Sequence, residues 1–231
     1  MEQKEEEGTV LRNFSQAGQD LFVALVLDGQ QGGKQGRLFV DLGAGHPQNY
    51  SNTFALEKFA GWRGILADIE TVEQLKAERD PRNLFYGNAL DPKLMEDILT
   101  LADANEGTLD YLSLDLEPPE STLAALYGLP LDEMTFAVAT VEHDLYRGKQ
   151  SIKFAIEGIL QGYGYRRVAE NVRMIAKNES GYLLVPVEDW WVHPSLVDVH
   201  RASEIAADVR REQEIRLLQI IERLNAEEAN G

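Results

Sequence analysis

Between residues 38 and 169 the chain alternates short apolar runs with segments of helical spacing, and this alternation narrows the fold more than any other property. Residues 38–42, 64–69, 83–86, 111–114, 136–141 and 165–169 read as strands. Residues 53–59, 72–78, 93–102, 121–127 and 151–161 read as the helices between them. Several of the strands are apolar at nearly every position, as expected where helices cover both faces of a parallel sheet. Short strand–helix connections of this kind predict a doubly wound α/β fold. The alternation breaks near the end. Residues 168–175 and 182–192 are both strand-like and flank Asn178-Glu179-Ser180-Gly181, which predicts a hairpin at the sheet edge.

Outside this region, residues 1–13 form an acidic lead expected to be flexible, residues 14–200 one domain, and residues 201–231 a C-terminal helix. A helical stripe over residues 15–27 runs into Gly29, Gly32, Gly33 and Gly36, a flexible connection. In the tail, residues 203–228 carry Ile205, Val209, Leu217, Leu218, Ile221 and Leu224 at helical spacing. That stripe serves either packing on its own domain or self-association into a homo-oligomer. The formal net charge of −17 opposes nucleic-acid phosphates and anionic membrane surfaces, leaving a small neutral or cationic molecule as the expected partner. Cysteine is absent, which excludes disulfides, thiolate metal sites and cysteine nucleophiles. The charged start has no apolar core of a signal peptide, and no apolar run reaches the roughly 18 residues that cross a bilayer. A cytoplasmic protein is expected.

The densest information lies in Phe39-Val40-Asp41-Leu42-Gly43-Ala44-Gly45-His46-Pro47. An apolar strand ends in an acid and enters a turn with two glycines, which lets a ligand approach the backbone closely. The next strand also ends in an acid, Asp68, with Glu70 two residues on. In Rossmann-like sheets an acid at that place accepts hydrogen bonds from ribose hydroxyls. A dinucleotide turn wants a third small residue where this chain has Gln48. Asp41, just before the turn, suits the cationic amino-acid end of S-adenosylmethionine better than a pyrophosphate.

Several stretches together resemble the FkbM-type methyltransferases. They are Ser15-Gln16-Ala17-Gly18-Gln19-Asp20-Leu21, the segment from Phe39 to Ala44, Tyr50-Ser51-Asn52-Thr53, and Gly61-Trp62-Arg63-Gly64-Ile65-Leu66. Asp110-Tyr111-Leu112-Ser113-Leu114-Asp115-Leu116-Glu117, Val141-Glu142-His143-Asp144, Gly162-Tyr163-Gly164-Tyr165 and Glu188-Asp189-Trp190-Trp191-Val192 extend the likeness in order along the chain. The resemblance implies a Rossmann-like class I methyltransferase: a mostly parallel seven-stranded sheet, helices on both faces, an antiparallel last strand, and methyl transfer usually to oxygen. It also implies that Asp41, Gly43 and Gly45 line the methionine end of the cofactor. Asp68 would hold the ribose, and Asn88 with Ala89 would flank the adenine. Gln16, Gln19 and Asp20 would close over it. The family commonly has Glu-Pro after the second strand, where this chain has Asp68-Ile69-Glu70. The tail helix lies outside the likeness.

Asp115 closes the fourth strand and Glu142-His143-Asp144 the fifth, which puts these groups at the rim where ligands of parallel sheets bind. His143 reads as a general base for a hydroxyl acceptor. Alternatively, Asp115, Glu142 and Asp144 or His143 hold a hard divalent cation such as Mg²⁺, which would acidify the hydroxyl; the placement is similar to the metal acids of magnesium-dependent sugar O-methyltransferases. As a third reading, these groups cap, pair and pack. The tryptophan pair reads as packing rather than as a substrate wall.

Overall fold

In the computed structural model, which describes residues 13–28 and 36–229, seven strands form one sheet. They are β1 (Leu38–Leu42), β2 (Arg63–Ala67), β3 (Leu84–Tyr86), β4 (Thr108–Leu114), β5 (Thr135–Glu142), β6 (Arg166–Asn178) and β7 (Gly181–Val192). The helices are α1 (Gln19–Leu27), α2 (Phe54–Ala60), α3 (Val72–Glu78), α4 (Pro92–Asp103), α5 (Pro119–Gly128), α6 (Gln150–Gly162) and α7 (Val199–Ala229). The acidic lead up to residue 12 and Gly29, Gly32 and Gly33 of the expected connection lie outside the described residues.

The strand order is β3-β2-β1-β4-β5-β7-β6, with β7 antiparallel to both neighbours and the remaining pairs parallel. The expected seven-stranded, mostly parallel, Rossmann-like sheet with an antiparallel last strand is the observed one. Residues 165–169 and 168–175, which read as two overlapping strands, are one long strand. Its pattern is broken by register shifts between Arg167 and Arg173 and by Asn171 at φ 53°. Each shift moves a residue to the opposite face, so the hydrophobic alternation no longer tracks a single strand.

Two apolar clusters sandwich the sheet. Val40, Leu42, Ile65 and Trp191 point to the face covered by α4, α5 and α6, while Phe39, Leu66, Tyr111 and Trp190 point to the face covered by α1 and α7. The two tryptophans thus serve opposite layers, and Trp190 stacks on Phe22 of α1 at 4.5 Å between centroids. Burial of such a side chain contributes about 2–3 kcal/mol. Helix α4 shows how local sequence makes these layers. Asp91 caps its N-terminus by accepting the Lys93 N–H at 2.8 Å, Pro92 occupies its first turn, and Leu94, Ile98 and Ala102 recur every four residues on the buried face.

Helix α7 starts earlier than its apolar stripe announced and crosses β6, β7 and α1. Ala202, Ala206, Val209, Gln213, Leu217 and Ile221 are its buried line, so most of the stripe is spent inside the same chain. Ile215 and Leu218 remain exposed. At Gly18 the backbone is left-handed (φ 89°), and a Cβ there would lie 2.9 Å from side-chain carbons of Val209 and Gln213. Helix α7 therefore presses on the loop before α1. Among the described residues no helix is long and apolar enough to cross a membrane.

Candidate functional site

Between β1 and β4 the order of the parallel sheet reverses, and beyond the carboxyl ends of such strands the diverging loops leave a crevice. A cavity of about 250 Å³ occupies that place, walled by Asp41, Gly43, Gly45, Asp115, Gln16 and Gln19. His46, Tyr50 and Asn52 complete its mouth.

Asp41 is 1% exposed. Burial raises its pKa, opposed by the Thr53 hydroxyl, which donates to its Oδ2 at 2.6 Å, and by the charge of Arg79. Arg79 in turn donates to Thr53 Oγ1 at 3.1 Å and pairs with Glu57 at 3.0 Å, so a chain of polar groups anchors the carboxylate from behind. The turn after β1 needs glycine. Gly43 has φ 92°, its N–H donates to the Ala67 carbonyl at 2.8 Å, and a Cβ would stand 1.6 Å from the Asp115 carbonyl oxygen. Gly45 is also left-handed (φ 58°), with nothing within 4 Å of the place a Cβ would take.

Asp68 reaches this turn from β2. Its Oδ2 accepts the Gly45 N–H at 2.9 Å, while Oδ1 accepts those of Glu70 and Thr71 at 2.9 and 2.8 Å. A carboxylate offers about four acceptor positions. The expected grip on two ribose hydroxyls is therefore reduced to one remaining lone pair on Oδ2, and Asp68 is first a tie between two loops. Exposed Glu70 stands beside it. Asn88 and Ala89, beyond β3, do not line the cavity: Asn88 accepts the Leu90 N–H at 2.9 Å, and Ala89 packs into the core.

The loop before α1 carries Gln16 into the cavity because buried Asp20 holds it. Asp20 accepts from Phe14 N–H at 2.7 Å and from Ser15 Oγ at 2.6 Å. Gln19 lies within reach of Glu188, a residue to which the sequence pattern assigns no role. Glu188 is 4% exposed, accepts the Trp190 indole N–H at 2.7 Å, and lies opposite Glu142 in the β5–β7 ladder. Burial pushes its pKa up to about 8, with Asp115 and Asp189 adding to the rise. The hairpin was the available signal: an antiparallel β7 brings its first half to the rim where β5 ends.

Asp115 sits at the cavity wall, half-buried, its N–H bound to the Leu42 carbonyl at 2.9 Å. Burial pushes its pKa up to about 7, helped by the charges of Asp144, Glu117 and Asp41 and opposed by Arg147. Arg147 is the local counter-ion. It grips Glu117 through both terminal nitrogens at 2.7 and 2.6 Å and meets Asp144 at 2.9 Å.

His143 has another environment. Its ring is 1% exposed; Nδ1 accepts the Leu145 N–H at 3.2 Å and Nε2 faces Asp189 at 3.2 Å. With both nitrogens engaged inside the protein, the ring orients Asp189 rather than meeting a ligand. Asp189 also accepts the Asn171 N–H at 2.7 Å and meets Arg167 at 3.2 Å, tying β5, β6 and β7 together. The magnesium reading gains no support from the geometry. Among the described residues no three His, Cys, Asp or Glu side chains are arranged to hold a metal ion, and the Asp144 carboxylate is met by the Arg147 cation.

No family model and no curated protein matches the chain, so the FkbM-type likeness rests on the short segments quoted above. Solved structures do match. One, from Pyrococcus horikoshii and provisionally named an RNA methyltransferase, is 15% identical over 77% of this chain and 82% of that one, with a TM-score of 0.43. M. jannaschii TYW2, in complex with AdoMet, is 12% identical over 80% and 79%, with a TM-score of 0.39. A provisionally named transferase of Pyrococcus horikoshii is 14% identical over 80% and 66%, with a TM-score of 0.42. At such identities the likeness extends to the fold alone.

Proposed function

We propose that this chain is an S-adenosylmethionine-dependent methyltransferase acting on a hydroxyl of a small molecule. The observation that carries the reading is the acid-walled cavity at the point where the strand order reverses, with Asp41 and the two left-handed glycines on one side and Asp115 on the other. The donor set fits the cofactor's cationic amino-acid end: Asp41 is held in place by Thr53, Gln16 and Gln19 offer amides, and the glycine turn exposes main chain. Asp68 would contribute one acceptor to the ribose and Glu70 a second. The adenine would lie beyond Asp68, on the side of the loop that follows β3.

When bound, the cofactor supplies a methyl group on a positively charged sulfur, which keeps the bonding electron pair as the methyl passes to the acceptor oxygen. The work of this chain's residues is alignment and proton removal. Asp115, with a carboxyl titrating near 7, is poised to take the hydroxyl proton. The positive charge of Arg147, beside Glu117 and Asp144, keeps the pKa of that carboxyl from rising further. A base at this position favours a hydroxyl over a neutral amine, which needs none. The charge of −17 favours a small acceptor over a polynucleotide.

Calorimetry tests the reading. S-adenosylhomocysteine should bind with micromolar affinity and NADH should give no heat. Asp41→Ala should weaken the former at least about tenfold. Binding of NADH, or S-adenosylhomocysteine affinity indifferent to Asp41, would overturn it.

A further inference from the structure

A second cavity, of about 360 Å³, lies between α7, the far half of β6 and the loop before α1. It shares Gln16 and Tyr50 with the rim cavity, so the two spaces adjoin. Its floor is apolar: Met174 and Ile175 from β6 line it together with Leu217, Ile220 and Leu224, spaced one turn apart or two on α7. One cation borders it. Among the described residues the guanidinium of Arg216 makes no hydrogen bond or ion pair. Arg216 is the one charged residue in the lining of this cavity, and it stands beside an apolar floor. Tyr50, at the junction, is 71% exposed and left-handed (φ 62°), a conformation that a bulky side chain adopts at a cost of about 1–3 kcal/mol and that clusters at ligand clamps.

We propose that this groove is the acceptor subsite and that it takes an amphipathic organic acid. The apolar body lies on Met174, Leu217 and Ile220, the acid meets Arg216, and the hydroxyl end passes between Gln16 and Tyr50 towards Asp115. This rests on the methyltransferase reading above and names its substrate class. The long-range field of the protein repels an anion, so recognition depends on the local contact with Arg216, which a desolvated, charge-assisted hydrogen bond can supply. The apolar floor supplies the remainder through area removed from water. The segment of α7 that builds the groove is outside the family likeness, as a specificity element would be.

Two fluorescent probes with one apolar body test the proposal on the full chain. These are 1-anilinonaphthalene-8-sulfonate and its neutral analogue N-phenyl-1-naphthylamine. The protein should bind the sulfonate about tenfold more tightly than the neutral probe. Arg216→Gln should abolish that preference and keep the neutral probe bound, which also reports an intact fold. Ile220→Glu should lose both probes. S-adenosylhomocysteine binding, followed by calorimetry, should survive both substitutions. Equal affinity for the two probes in the unaltered chain, or an unchanged preference in Arg216→Gln, overturns the acceptor groove. Failure of S-adenosylhomocysteine to bind the unaltered chain overturns the methyltransferase reading instead.

Discussion

Two carboxyls at the rim, both pushed upward by desolvation, are expected to pull in different directions as pH changes. Asp115 must be ionised to accept a proton, so the rate should climb as pH passes about 7. Asp115→Asn should lower turnover by roughly 10²-fold and flatten that limb, with S-adenosylhomocysteine affinity little altered. Glu188 bears on stability. Its folded pKa of about 8 stands above the ordinary 4.5, so its contribution is fully present below that ordinary value and is lost as pH rises through 8 and a buried charge develops. Glu188→Gln keeps an acceptor for the Trp190 indole and removes the charge. In denaturant titrations the variant should gain on the order of 1–3 kcal/mol relative to wild type at pH 9 compared with pH 5. A constant difference across that range would show that Glu188 stays neutral or finds a counter-ion. Asp68 is expected to act through its main-chain bonds: Asp68→Ala should lower both melting temperature and S-adenosylhomocysteine affinity, while Glu70→Ala should touch only the affinity.

At the scale of elements, the glycine turn and the strand ends separate what a single sequence can express from what it cannot. Leu38–Leu42 was readable to the residue because an apolar run ends at an acid and two glycines, all local signals. The same holds for Asp41, Gly43, Gly45 and Asp115 meeting in one cavity, since parallel strands deliver their carboxyl ends to one side. The fates of His143 and Asp144 were not readable. They depend on Asp189 and Arg147, partners that only the antiparallel β7 and the turn after β5 bring near. Helix α1 begins at Gln19 rather than near Ser15 because Asp20 bonds back to Phe14 and Ser15, a competition between side chain and helix that apolar spacing does not encode. The turn also yields a firm expectation. Gly43→Ala would drive a methyl into the Asp115 carbonyl at a left-handed position, and should destabilise the fold by more than about 3 kcal/mol or prevent its recovery in soluble form. A thermal melt settles which.

For the molecule as a whole, an excess of 17 negative charges means that the folded state repels itself. Raising NaCl from about 0.02 to about 0.5 M should lift the melting temperature by a few degrees, because screening relieves that repulsion while exposed ion pairs such as Lys76–Glu73 carry little. A fall in melting temperature would mean that the Arg79 and Arg147 networks outweigh the net charge. The tip of the β6–β7 hairpin is clamped to the far end of α7: Asn225 accepts the Tyr182 N–H at 2.8 Å and donates to the Tyr182 carbonyl at 3.2 Å. Residues some two hundred positions apart therefore meet around one crevice, with Gln16 from the start of the described chain and Leu217 from its last helix as facing walls. On the proposed reading, the half that would hold the cofactor is synthesised long before α7 emerges, so a nascent chain halted near residue 200 has Asp41 and its glycine turn but lacks the wall proposed to seat the acceptor. Binding and turnover would thus mature at different moments in the life of the same polypeptide.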